Sequence, residues 1–337
     1  MTSTIIATEP AVDITKQSRA RLAHRAGKFW RAGGPAVIFV AMFLVVAILT
    51  PAFLGGGGFT IVASSAAPIL LVALGQALVL NIGSIDLSNA SITLLGAILL
   101  ALTLGPLGAV SPLVVLLMVT LFGAVNGVIV AFAQVPSFAL TLGTFGIFQA
   151  AALVVSGATT VYVSQNSGMI TPLYTSAVAG IPLTFVLGVV AAALAWFMLR
   201  FTRVGQGMTA IGKNESGAIF SAVRTRKLKI VAYALSGFMA GLAGITIIAQ
   251  AGSASSTGLG SDLLLPGIAA AIFGGTSISG GVTNPLNVIF GALTVALVPI
   301  ATAVIGIAAQ AQNLVYGIII ILIVALTLTR SRNAIIK

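Results

Sequence analysis

The chain has no cysteine among its 337 residues, which excludes disulfide frameworks and thiolate metal sites. It is almost as poor in charge. Only 6% of residues are charged, against roughly 25% in an ordinary soluble protein. It has five acids and one histidine, His24, which reads as a solvated residue near the N-terminus. An enzyme site needs a nucleophile, a metal cluster or paired carboxylates, and these materials are missing. No catalytic or metal-binding residue is therefore assigned. A proton-coupled carrier, which would place acid or histidine relays inside its spans, is disfavoured for the same reason.

What the chain has instead is apolar surface. It is 58% hydrophobic with a mean hydropathy of +1.17, too apolar to coat a water-facing globule. Lipid must be its main solvent, so the expected class is an all-α polytopic membrane protein. Continuous apolar runs without two-residue alternation exclude a lipid-facing barrel.

The net charge of +11 comes from three clusters of Lys and Arg: Lys16 to Arg31, Arg200 to Lys229, and Arg330 to Lys337. These clusters only flank apolar stretches, so a nucleic-acid partner is not expected. Cytoplasmic loops carry the Lys/Arg excess, which places all three clusters on one side and requires an even number of crossings between them. At roughly 20 apolar residues per crossing, six spans fit the first interval. They are Pro35–Leu54, Ile61–Ile82, Ala90–Leu107, Leu113–Ala133, Phe138–Val155 and Ile181–Leu199. Four fit the second: Ile230–Ala249, Leu263–Phe273, Pro285–Ala303 and Leu314–Leu328. The expectation is about ten helices with both termini cytoplasmic. Residues 1–33 form an N-terminal tail, 34–329 the membrane domain with a cytoplasmic loop at 200–229, and 330–337 a C-terminal tail.

Two acids fall within the apolar intervals, Asp86 and Asp262. Both sit near breaks in the helical pattern: Asn81–Asn89, and Gly252–Ser261 ahead of Asp262. A second glycine-rich break runs from Gly274 to Gly281. Such paired interruptions point to the centre of a transporter. The plainer reading makes Asp86 and Asp262 helix caps. Gln76, Asn126, Thr141, Thr144, Gln149 and Asn287 ride inside spans, where amides and hydroxyls either join helices or face a pathway. Asn81, Asp86, Asn126, Thr141, Thr144 and Asn287 are the candidates for a pathway. Hydroxyls and amides with few charges suit a neutral hydroxylated solute better than an ion.

The middle basic block is the one sizeable soluble loop. Gly205–Asn214 reads as a helix break, followed by a short helix at Glu215–Val223 capped by Asn214, with Glu215 in its first turn. The stretch Gly207–Asn214 misses a phosphate-binding loop by one residue and has no room for the strand and helix that such a loop needs. The chain is therefore not expected to hydrolyse ATP.

Gly205–Ala218 resembles the cytoplasmic coupling segment of ribose/xylose/arabinose-type permease subunits of ABC importers. Three more stretches share that resemblance in the same order: Ser84-Ile85-Asp86-Leu87-Ser88, Val135–Thr144, and Leu235–Ile245 with Gly274–Gly281. The resemblance implies about ten helices and a bacterial inner-membrane location. It also implies a second permease chain, a separate ATPase that holds the ATP and Mg, and an extracytoplasmic solute-binding protein. No cofactor is expected on this chain. Gly212, Asn214, Glu215, Ala218, Phe220 and Val223 would form the ATPase-coupling element, with Phe220 as its anchor. Departures from the pattern include Ser84 and Ala222 in place of the usual glycines, and Leu264-Leu265-Pro266-Gly267 in place of Leu-Asp-Ala. The implied function is import of a monosaccharide or related polyol by alternating access. A branched-chain amino-acid permease of the related ABC group and a secondary carrier for a small neutral solute stand as alternatives.

Overall fold

The computed structural model describes residues 33–55, 57–257, 259–308, 311, 314–318 and 321. The expected tails, Gly33 apart, and most of the tenth expected span lie outside the described residues. The described chain is built from helices, most of them apolar along their whole length.

Helix α1 (Gly33–Leu49) is followed by the short α2 (Ala52–Gly55). The first span was expected to run unbroken to Leu54. It stops at Leu49 because Pro51 cannot donate a helical hydrogen bond and disfavours the helical conformation at Thr50. Helix α3 (Gly58–Asn81) comes next and is buried along most of its length. Helices α4 (Ser88–Leu107) and α5 (Ser111–Ala133) follow, then α6 (Ser137–Ser156).

Six apolar helical stretches among the described residues are long enough to cross a bilayer. One of them, Ser88–Ala133, is 46 residues long and is divided into α4 and α5 by a 3-10 turn that starts at Gly108. Gly108 takes φ 54°, a conformation that favours glycine.

Beyond α6 the chain leaves the helical body. Strand β1 (Thr160–Tyr162), the one-turn helix α7 (Pro172–Thr175) and the strand pair β2 (Ala177–Val178) and β3 (Ile181–Pro182) form a small cap. Helix α8 (Leu183–Phe201) returns to the other end. There α9 (Arg203–Lys213) and α10 (Glu215–Phe220) carry the middle basic block. Helix α11 (Thr225–Ala251) crosses back and delivers β4 (Ser253–Ser255), which pairs antiparallel with β1, Val161 opposite Ala254. Helices α12 (Leu259–Phe273) and α13 (Pro285–Val304) follow. The cap and the α9–α10 pair thus lie at opposite ends of α8 and α11.

The core forms around α3, α4 and α11. Leu70, Leu71, Leu74, Ile92, Leu94 and Ile98 are fully buried. In contrast, α5 and α6 leave large apolar side chains such as Leu117, Leu121, Ile147 and Val154 exposed, as surfaces meeting lipid or another membrane subunit do.

Helix α11 approaches its neighbours so closely that only glycine fits. A Cβ on Gly237 would overlap the Val119 carbonyl of α5 and come within 3.2 Å of the Gly123 backbone. A Cβ on Gly244 would lie 3.0 Å from the Ala97 amide of α4. Small residues give this dispersion-driven packing where no hydrophobic force distinguishes helix from lipid. Gly237→Leu should separate α5 from α11. The expected loss is at least the ~1–3 kcal/mol of an overpacked core, read as a lower melting temperature in mild detergent. Gly143 has nothing within 4 Å of a built Cβ, so Gly143→Ala should melt with the unsubstituted protein.

Candidate functional site

Between α3 and α4 the chain is non-helical from Ile82 to Leu87, inside the helical body. Its backbone cannot make ladder hydrogen bonds, and an unpaired peptide group in an apolar medium costs several kcal/mol. Side chains from three helices meet that demand. The Ile85 amide donates to Ser137 Oγ of α6 at 3.1 Å, and the Leu87 amide to Thr141 Oγ1 of α6 at 3.1 Å. The Ile85 carbonyl accepts from the Tyr233 hydroxyl of α11 at 3.2 Å, and the Asp86 carbonyl accepts from the Gln76 amide of α3.

The Asp86 carboxylate lies at the centre of this arrangement and is fully buried. Oδ1 accepts from the Ser88 amide, the first of α4, at 3.1 Å and from the Ser88 hydroxyl at 2.5 Å. Oδ2 accepts from the Ser236 hydroxyl of α11 at 2.7 Å. Each of these hydroxyls is in turn supplied by an amide. Asn126 of α5 donates to Ser88 Oγ at 2.8 Å, and Asn89 donates to Ser236 Oγ at 2.6 Å. Two relays of donors therefore converge on one carboxylate. Gln76, Asn89 and Asn126 all turn their NH2 groups inward, and their amide oxygens have no partner among the described residues.

The second cluster lies where α3 ends. The Asn81 carbonyl accepts from the Gly281 amide at 2.9 Å, and the Asn81 side-chain amide donates to Thr209 Oγ1 of α9 at 3.1 Å. Gly212 of α9 packs so tightly here that a Cβ would overlap the Asn81 carbonyl and the Gly281 amide. A Cβ on Gly280 would lie 2.9 Å from both the Gly212 carbonyl and the Gly83 backbone. The two glycine-bearing interruptions, 82–87 and 274–284, thus meet each other and α9 backbone to backbone.

Gly205–Asn214 was expected to break the helix and instead forms α9. Thr202 caps it by accepting from the Gly205 amide at 3.2 Å, and its glycines serve packing. A Cβ on Gly205 would overlap Leu199 and the Met198 carbonyl. Asn214 caps α10 as expected, its Oδ1 accepting from the Gly217 amide at 3.0 Å. Glu215 stands in the first turn of α10 and pairs with Lys229 at 2.6 Å. Ala218 is buried, whereas Phe220 projects from the end of α10 with 91% of its surface exposed. Ala222, where the resembled pattern has glycine, takes φ 58°, a left-handed conformation that explains a preference for glycine there.

Of the sequence-derived pathway candidates, Asp86, Asn126 and Thr141 come together in the first cluster and Asn81 lies in the second. Thr144 sits one turn beyond Thr141 on α6, half-buried. Asn287 is buried near the start of α13. Asp262 is exposed in the first turn of α12. Ser88, Asn89, Ser137, Tyr233 and Ser236 belong to the first cluster and were not singled out. Serines and a tyrosine inside apolar helices give no periodic signal; the paired break in the pattern and the resembled stretches that contain Ser88, Ser137 and Ser236 were the hints.

Ser236→Ala removes one charge-assisted hydrogen bond to Asp86 and leaves Asn89 one acceptor short. The expected cost is about 2–3 kcal/mol, read as a lower melting temperature. Ser64→Ala, which removes only a bond to the Thr60 carbonyl within α3, is the comparison. Equal melting of the two variants would show that the donor relay carries no special weight.

Comparison with known proteins places this architecture. Residues 58–324 match the family model described as branched-chain amino acid transport system / permease component. The chain is 31% identical over 295 residues to the ribose import permease protein of Haemophilus influenzae, covering 85% of this chain and 90% of that one. It is 29% identical over 305 residues to the D-allose transport system permease protein of Escherichia coli, with coverage of 88% and 92%. It is 30% identical over 295 residues to the autoinducer 2 import system permease protein of Yersinia pestis, with coverage of 86% and 83%. No solved structure matches the chain. The helices, their interruptions and these similarities together make the chain a multi-pass member of the branched-chain amino acid transport system / permease component family, whose members are not enzymes but membrane subunits of ATP-binding-cassette importers that leave the nucleotide to a separate ATPase.

Proposed function

We propose that the chain is the translocating subunit of an importer for a monosaccharide or related polyol, working by alternating access. The family description alone leaves sugar and branched-chain amino acid open, and the relatives named for ribose and D-allose favour sugar. The observation that carries the coupling part of this reading is α10. It is a short helix, capped by Asn214, which presents Phe220 to solvent amid the basic block. Gly212, Asn214, Glu215, Ala218, Phe220 and Val223 then form the coupling element, in which the exposed Asn214, Glu215 and Phe220 receive the ATPase and Gly212 and Ala218 pack behind them.

The ten-span topology follows from the same reading. Helices α1, α3, α4, α5, α6, α8, α11, α12 and α13 account for nine spans, and 314–328 supplies the tenth, with 1–33, 200–229 and 330–337 cytoplasmic. The setting is the bacterial inner membrane, in contact with its lipid. A second permease chain, like or unlike, completes the route, and an extracytoplasmic binding protein delivers the solute to the β1–β4 side. Asn81, Asp86, Asn126, Thr141, Thr144 and Asn287 flank the route. The close packing at Gly212 lets a displacement of α9 move both helix breaks together.

Two measurements test this reading. The tagged chain, purified gently from its native membrane, should bring a P-loop ATPase with it, and Phe220→Asp at equal expression should lose it. Recovery of the chain alone, under conditions that keep a known importer whole, would favour a secondary carrier. Gly212→Ala alters no exposed residue of α10 but separates α9 from Asn81 and Gly281. It should keep the ATPase while lowering solute uptake at least tenfold, an order of magnitude set by barrier arithmetic in which each ~1.4 kcal/mol is tenfold. Wild-type uptake by Gly212→Ala would remove the joint from the coupling path.

A further inference from the structure

Where α5 ends beside the start of α11, the surface forms an open groove of about 520 Å³. Its lining divides by chemistry. Phe132, Ile219, Val223 and Ile230 are apolar, and Arg224, Arg226 and Lys227 are cationic. No acid lines it. Glu215 on α10 is already paired with Lys229 at 2.6 Å. The three cations are exposed, and the Arg226 guanidinium lies over the Phe132 ring at 5.3 Å from its centroid. That contact orients Arg226 at the mouth of the groove without neutralising it.

The apolar side of the groove does not end at Phe132. Val125, Val128 and Phe132 are all exposed and are spaced by three and four residues, so they form one stripe on α5 that runs from the apolar helical body up to the cations. A soluble partner has no access to such a stripe at membrane depth. A phospholipid does. Its acyl chain fits the stripe, and its phosphodiester reaches Arg224, Arg226 and Lys227 at the level where basic residues meet anionic headgroups.

We infer that this groove is a binding site for one anionic phospholipid of the cytoplasmic leaflet, seated between α5 and the α10–α11 connection. The site rests on the reading that α9 and α10 lie at the cytoplasmic interface, and not on the identity of the cargo. Its position gives it a consequence. Ile219 of α10 and Val223 of the coupling element both form the groove wall, so a seated headgroup braces α10 against α5.

The test is the melting temperature of the purified full chain in mild detergent, titrated with phosphatidylglycerol, phosphatidylcholine or soluble glycerol phosphate. Phosphatidylglycerol should stabilise the chain and phosphatidylcholine should do so far less. Lys227→Gln should weaken the half-saturating concentration of phosphatidylglycerol about fivefold, and the triple replacement R224Q/R226Q/K227Q on the order of a hundredfold, as expected for loss of one or three basic contacts to an anionic headgroup. Phe132→Ala, which leaves every cation in place, should weaken it too, because the acyl contact is lost. Equal effects of the two phospholipids, or an unchanged titration in the triple variant, would overturn the site. Protection by glycerol phosphate equal to that by phosphatidylglycerol would make it an anion site with no lipid role, which also overturns it. ATPase recovery from the same preparations reports the coupling reading separately. A triple variant that loses the ATPase but keeps the full lipid response would reassign the groove to the ATPase.

Discussion

A peptide group without a hydrogen bond is tolerable in water and expensive in an apolar medium, and the arrangement around Asp86 follows from that constraint. Leaving the helix between Asn81 and Ser88 strands several donors and acceptors. The fold answers with side chains drawn from α3, α6 and α11, and sets a buried carboxylate against the first amide of α4. A buried carboxylate has its own cost, which is offset here by hydrogen bonds instead of a counter-cation. Ser88 and Ser236 donate to it, and Asn126 and Asn89 supply them in turn. Because these donors sit on separate helices, the cluster ties α4, α5 and α11 to one point. It sets their relative position more narrowly than apolar packing does, since hydrogen bonds are directional and dispersion is not.

Glycine supplies the second half of that order. Along α11, Gly237 and Gly244 let backbones approach where any side chain would hold them apart. At the end of α3, Gly83, Gly212, Gly280 and Gly281 bring three chain segments into backbone contact. A contact between backbones has no rotamers to absorb a displacement. The joint between α9 and the two helix breaks is therefore stiff, whereas the ring of Phe220 stands free at the tip of α10. The molecule combines an exposed, adaptable contact at the tip of α10 with a stiff connection behind it.

Much of this was legible in advance. Charge clusters and apolar run lengths gave the helical class and most span positions, because the bilayer imposes one length and one polarity on every crossing. The cap at Asn214 was legible because Asn followed by an acid marks a helix start. Two local readings failed on the same principle. The glycines of Gly205–Asn214 looked like a helix break, yet they are packing positions within α9. In the first span, by contrast, apolar character from Pro35 to Leu54 hid the break that Pro51 imposes. Composition reports solvent, and it does not report whether a glycine is there for its flexibility or for its size.

The sequence by itself determined the solvent, the helical class, and the two interruptions at Asn81–Asn89 and Gly274–Gly281. These depend on transfer free energies summed over local stretches, and such sums need no knowledge of neighbours. Only the tertiary structure decided that the break at Asp86 is served by Ser137, Thr141, Tyr233 and Ser236, that Asn81 meets Thr209, and that Gly212 meets Gly281. Those pairs are separated by about fifty to one hundred and fifty positions along the chain. A hydrogen bond or a close backbone approach is specified by where two helices cross, and the crossing is the joint result of every packed residue along both.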